Sequence, residues 1–292
     1  MAQGPTMPEP AARGPMARDY GAIARVGVAV PYANPTVEPE LRALLPEGIG
    51  LYATRLVHPA PDVGTRLDHY IRHLPEAIRS FGSMGLAAFG FGCTGSSYRA
   101  GVALEDRLSA EAAAACGLPV ITAAQAIRAA LAALGARRIA LVAPYPIDLH
   151  EAGLRYWRDA GIEVAASLRV DPTLDDTHRI YELTSDDALE ALQRVDAAGA
   201  DCVVASGTGM PTLRALRHER TAARAADTPT ALPRVVPRIR MALRGALNFL
   251  SAARRPSAVS PAAQLAGFGL TAAGSVSTSG PFGEVACAEG AL

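Results

Sequence analysis

The sequence predicts an α/β protein of two similar lobes, each a short parallel sheet flanked by helices, related by a pseudo-two-fold axis. Three observations predict it. Arg25–Tyr32 (RVGVAVPY) recurs 113 residues on as Arg138–Tyr145 (RIALVAPY). Gly85–Gly95 (GLAAFGFGCTG) recurs 114 residues on as Gly199–Gly209 (GADCVVASGTG), so two separate matches share nearly one offset and point to a duplicated unit. Short continuous apolar runs also alternate with stretches of helical period, the pattern of strands buried on both faces of a parallel sheet.

Taken in order, residues 1–22 lack the apolar stretch of about 7–15 residues that a signal peptide needs and read as a disordered leader. The first lobe is expected over 23–120. It holds a strand at Arg25–Tyr32, a helix at Asp68–Ser80 kinked by Pro75, the apolar run into Gly92-Cys93-Thr94-Gly95, and a strand at Leu118–Ile121. The second lobe is expected over 121–236, with an amphipathic helix at Gln125–Leu134, a strand at Arg138–Tyr145, a helix at Asp186–Ala197 and the run into Ser206–Gly209. Arg217–Arg255 carries nine arginines against Glu219 and Asp227 and includes a helix at Arg238–Phe249, which is expected to complete the first lobe at about 238–250. Residues 256–292, small and without clear period, read as a poorly ordered tail.

Composition removes several functions. All 28 basic residues are arginine, which excludes a P-loop lysine and a lysine Schiff base. They balance 28 acids, and that neutrality argues against a dedicated nucleic-acid partner. No apolar run of about 18 residues suggests a membrane span. Four scattered cysteines, with no CxxC, suit neither a disulfide framework nor a zinc site and point to a reduced, cytoplasmic protein. His69 and His73 stand one helical turn apart, but no carboxylate motif accompanies them, so no metal is expected.

Chemistry concentrates at the strand ends. Gly90–Gly95 fits GxGxxG, yet the acidic residue that a nicotinamide fold places about twenty residues on is absent, and the turn is repeated at Ser206–Gly209. A smaller anion suits the same backbone. A strand turning into a helix through Cys93-Thr94-Gly95-Ser96 leaves amide donors free for a carboxylate or an enolate oxygen. Cys93 in that turn is expected to have a lowered thiol pKa and to act as base or nucleophile, against the plainer reading of a small buried residue. Cys202 and Cys116 read as packing residues, and Cys287 falls in the tail. Superposing the repeats sets Cys93 on Gly207, Thr94 on Thr208 and Gly95 on Gly209. If the lobes face one another, these turns, with Gly207 among the substrate contacts, and the strand ends bearing Tyr32, Asn34 and Tyr145 converge on one cleft, with Asn34 a carboxylate donor and Tyr145 an oxyanion donor.

These residues carry a resemblance. VPYANPT, GCTG, APY and SGTGMPTL, spread over Arg25–Leu216, resemble the aspartate/glutamate racemase superfamily, in the branch of maleate cis-trans isomerases and arylmalonate decarboxylases. The resemblance implies an active site between two lobes, no cofactor, a small carboxylate substrate and a homodimer. It assigns Cys93 as the catalytic cysteine, Asn34 and Tyr145 to substrate binding, and the amides of Thr94, Gly95 and Thr208 to the oxyanion. One position departs: racemases and maleate isomerases carry a cysteine in each lobe, and here the second position is Gly207. Arylmalonate decarboxylases keep one cysteine, but in the second lobe. The leading expectation is a cofactor-independent isomerase of a small dicarboxylate working through one cysteine. An arylmalonate-type decarboxylase and a non-catalytic carboxylate-binding protein are the alternatives.

Overall fold

Residues 18–218 and 234–235 are described by a computed structural model. The first 17 residues of the expected leader, the helix at 238–250 and the tail at 256–292 lie outside the described residues. The first sheet contains β1 (Ala24–Pro31), β2 (Ile49–Leu56), β3 (Ala88–Phe91) and β4 (Val120–Thr122), in the spatial order β2-β1-β3-β4. The second contains β5 (Arg138–Ala143), β6 (Glu163–Arg169), β7 (Cys202–Ala205) and β8 (Arg234–Val235), in the order β6-β5-β7-β8. All their pairings are parallel. Register repeats along with order: Val26 pairs with Ala88 in the first sheet, and Ile139 pairs with Cys202 in the second. Those are the residues that the sequence offsets of 113 and 114 match.

Helices fill the connections. α1 (Val37–Leu44), α2 (Val63–Arg72), α3 (Leu74–Arg79), α4 (Thr94–Ala100) and α5 (Val102–Cys116) belong to the first half of the chain. α6 (Ala123–Leu134), α7 (Ile147–Asp159), a 3-10 turn at Thr177–Glu182 and α8 (Ser185–Arg194) follow. Local signals set their ends. Thr122 and Gln125 form a reciprocal capping box on α6, which stops at Gly135 with φ +66. The expected helix over Asp68–Ser80 is two helices parted at His73. Pro75 lies in the first turn of α3, where a missing N–H costs nothing. α2 begins earlier than its periodicity suggests, because Asp62 caps it through the Thr65 amide.

The two sheets share a core. Phe89 and Phe91 from the first lobe join Ile139, Leu141, Tyr156 and Trp157 from the second in one buried cluster. Alternate strand residues face away from it: Val28 and Val30 on one side, Ala140, Val142 and Val203 on the other. Burying this much apolar side chain on both faces, at about 25 cal/mol per Å², makes the seam between lobes a principal source of stability. No helix among the described residues is long and apolar enough to cross a membrane.

Candidate active site

Each lobe grips the turn that follows the other's third sequential strand. After β1, the chain turns through Asn34 and Thr36, and the Thr36 hydroxyl donates to the Gly209 carbonyl of the opposite lobe at 2.7 Å. From α1, Glu40 accepts the Thr212 and Leu213 amides at 2.7 and 2.8 Å, capping the helix over 213–218 from across the seam. Reciprocally, Tyr145, just after β5, meets the Thr94 hydroxyl with its own at 2.5 Å. Leu149 of α7 lies against Gly95, where an added Cβ would sit 3.3 Å from it. The repeated sequence thus produces two matching clasps, and they bring the strand ends to one place.

Between the clasps lies a pocket of about 50 Å³. One water-sized group needs about 10–15 Å³, so the space suits a small molecule rather than a dinucleotide. Cys93, Asn34, Gly95, Tyr145 and Thr208 all line it. Thr94 and Gly207 stand behind it and line a second cavity of about 140 Å³ against β1, β3, α1 and α6.

Cys93 ends the β3 turn and caps α4 in an extended conformation, φ −142 and ψ 91. Its sulfur accepts the Ser96 hydroxyl at 3.3 Å. Burial pushes the thiol pKa up, outweighing the Ser96 hydroxyl and the Ser96 and Gly95 amides, which act to lower it. This corrects the expectation of a lowered pKa: those turn donors do address the sulfur, but the site is dry enough that desolvation dominates. Cys93 at rest is a neutral thiol.

Asn34 is buried, and its side-chain oxygen accepts the Thr36 and Val37 amides at 2.9 and 3.1 Å. That fixes the amide group's orientation and leaves Nδ2 directed at the Thr208 hydroxyl, 3.5 Å away. Thr208 in turn donates to the Gly92 carbonyl at 2.8 Å, tying the two repeated turns directly together. Gly207 has φ +105, and a Cβ built on it would fall 2.5 Å from Pro144 Cγ. Glycine is therefore the residue this backbone accepts at the position equivalent to Cys93.

The far wall comes from residues that sequence reasoning passed over. Arg66 and Tyr70 come from α2, and His178, Ile180 and Tyr181 from the 3-10 turn. His178 Nε2 contacts the Tyr32 hydroxyl at 2.5 Å, joining that turn to the end of β1. Arg66 precedes the helix expected at Asp68–Ser80, and helical spacing sets Tyr70 on an inward face without showing the cavity it reaches; the 3-10 segment has no such period. Cys202 packs in β7, where burial pushes its thiol up to about 11. His58, His69 and His73 stack with ring centroids 4.1 and 3.7 Å apart, and no group of metal-ligating residues forms among the described residues.

Known proteins share this architecture. Residues 26–254 match the arylmalonate decarboxylase family. The chain is 28% identical over 208 residues to a maleate isomerase from Geobacillus stearothermophilus, covering 66% of this chain and 81% of that protein. A mutant of the maleate isomerase Iso from Pseudomonas putida S16, solved with maleate, superposes with TM-score 0.67 at 22% identity, covering 84% of this chain and 98% of that one. A mutant of the Nocardia farcinica maleate cis-trans isomerase, solved with a covalently bound succinylcysteine intermediate, superposes with TM-score 0.64 at 23% identity, covering 83% and 98%.

Proposed function

Because the chain belongs to the arylmalonate decarboxylase family, we propose that this enzyme is a cofactor-independent isomerase of a small dicarboxylate, working through Cys93. One observation carries the reading: Cys93 lines a small pocket at the meeting of both lobes, with Asn34, Tyr145 and Thr208 around it. Maleate-type isomerisation needs only a sulfur and a polar cradle. Cys93 first gives its thiol proton to solvent; the thiolate then adds to one alkene carbon, forming a C–S bond, and the π electrons pass into the far carboxylate as an enediolate. The remaining C–C single bond rotates, the electrons return, and the thiolate leaves with no net proton transfer. Donors around the pocket stabilise the charge as it develops. The succinylcysteine trapped in the Nocardia relative supports a sulfur adduct of this kind.

The raised thiol pKa favours a second reading. A neutral thiol is a ready proton donor, and a malonate that loses carbon dioxide leaves an enediolate that Cys93 then protonates. Proton NMR in heavy water separates the two. With maleate, isomerisation converts cis to trans alkene signals; with phenylmalonate, decarboxylation releases carbon dioxide and leaves one solvent deuteron per product. Cys93→Ser is expected to lower either rate by about a thousandfold or more while leaving the fold intact. If folded enzyme turns over neither compound, the proposal is wrong.

A further inference from the structure

The pocket contains a buried charge that neither reaction step uses. Arg66 is 9% exposed. Its Nη1 donates to the Ala60 and Pro61 carbonyls at 2.9 and 2.6 Å, which anchors the loop ahead of α2. Nε and Nη2, the other edge of the guanidinium, make no hydrogen bond among the described residues. No described carboxylate comes within 4.0 Å of it either. Asp62 and Asp176 lie near enough to feel its charge, yet both stand in solvent. No Asp or Glu lines the pocket. The guanidinium's other edge is not among the fully enclosed polar atoms, and Arg66 lines the pocket, so the edge stays reachable by an anion.

Two phenols share that wall. Tyr70 and Tyr181 line the same pocket, and their hydroxyls have no hydrogen-bond partner among the described residues. Burial pushes the Tyr70 phenol up to about 12 and raises that of Tyr181 as well. Both therefore remain protonated donors at neutral pH. One planar cation and two hydroxyls make a set suited to a carboxylate, which accepts from a guanidinium edge in bidentate fashion.

We infer that Arg66, with Tyr70 and Tyr181, binds the second carboxylate of the ligand, so that the pocket selects a diacid whose two carboxylates are separated along the carbon chain. This rests on the proposed site at Cys93 and names its substrate class more narrowly. One carboxylate lies towards the Cys93, Asn34 and Thr208 side and the other towards α2. A substituted malonate has both carboxylates on one carbon and would turn its third substituent towards the guanidinium, where an apolar group leaves the charge unpaired. Anchoring the loop at residues 60–61 uses Nη1 alone and does not account for the open edge.

Titration calorimetry with succinate and butanoate, at pH 7 and constant ionic strength, tests this. The two differ by one carboxylate, and both acids are ionised at that pH. Wild type is expected to bind succinate about 10- to 100-fold more tightly than butanoate, the range for a hydrogen bond to a charged group. Arg66→Met is expected to lose most of that preference by weakening succinate while leaving butanoate unchanged. A purely structural arginine would weaken both alike. Equal wild-type affinities, no succinate binding, or a preference retained in Arg66→Met overturns the inference, and the wild-type pair decides it alone if the variant does not fold. Catalysis is read separately: a dianion preference without turnover of maleate keeps the subsite and removes the isomerase, and turnover without the preference does the reverse.

Discussion

The Tyr145 hydroxyl and the Thr94 hydroxyl lie 2.5 Å apart across the buried seam between the lobes. Each belongs to the polypeptide just past the end of a β-strand, and Thr94 is wholly buried. Tyr145→Phe strands the Thr94 hydroxyl away from water. Leaving such a group unpaired costs about 1–3 kcal/mol. The double variant with Thr94→Val should recover part of that loss, because both partners are then apolar. Urea denaturation of the two single variants and the pair, taken as a double-mutant cycle, measures the coupling. Additive losses would show that the bond contributes nothing.

Cys93 sets the direction of the pH profile. Its thiol pKa is raised by burial, so the thiolate is scarce at neutral pH and grows tenfold per pH unit below that pKa. Addition of thiolate to an alkene therefore gains rate with rising pH through the neutral and mildly alkaline range. Proton donation behaves oppositely, level at low pH and falling once the thiol ionises. Alkylation of Cys93 by iodoacetamide, followed against pH, should give an apparent pKa above that of a free thiol, about 8.5. A value below it contradicts the burial described for this site.

Gly207 resists replacement for two separable reasons. Its φ of +105 strains any L side chain, and an added Cβ would meet Pro144 Cγ and Cδ at 2.5 and 2.6 Å. Gly207→Ala should cost about 1–3 kcal/mol, read from thermal or urea unfolding. Adding Pro144→Ala should return only the part due to the clash. Full recovery would mean that the backbone angle carries no strain.

Much of this architecture was legible because the chain states it twice. The offsets make Val26 equivalent to Ile139 and Ala88 to Cys202, and in the two sheets those equivalent residues form equivalent pairs. Continuous burial made β1 and β5 readable. β6 stands at the edge of its sheet, where exposed and part-buried residues alternate, and it was passed over. Cys93, Asn34, Tyr145 and Thr208 were visible as features of the strand-end turns. Arg66, Tyr70 and Tyr181 were not, since helical spacing reveals which residues face inward but not which cavity they reach. The Cys93 pKa was misjudged for a related reason. A strand-to-helix turn announces its donors in sequence, whereas its dryness depends on Leu67, Leu149 and Ile180, brought in from elsewhere.

The glycine at position 207 also gives the pocket a handedness. With sulfur on one side only, a flattened carbanion held there would meet an acidic hydrogen from a single direction. A prochiral malonate should accordingly yield one enantiomer in excess, and optical rotation of the product would record which lobe held the sulfur.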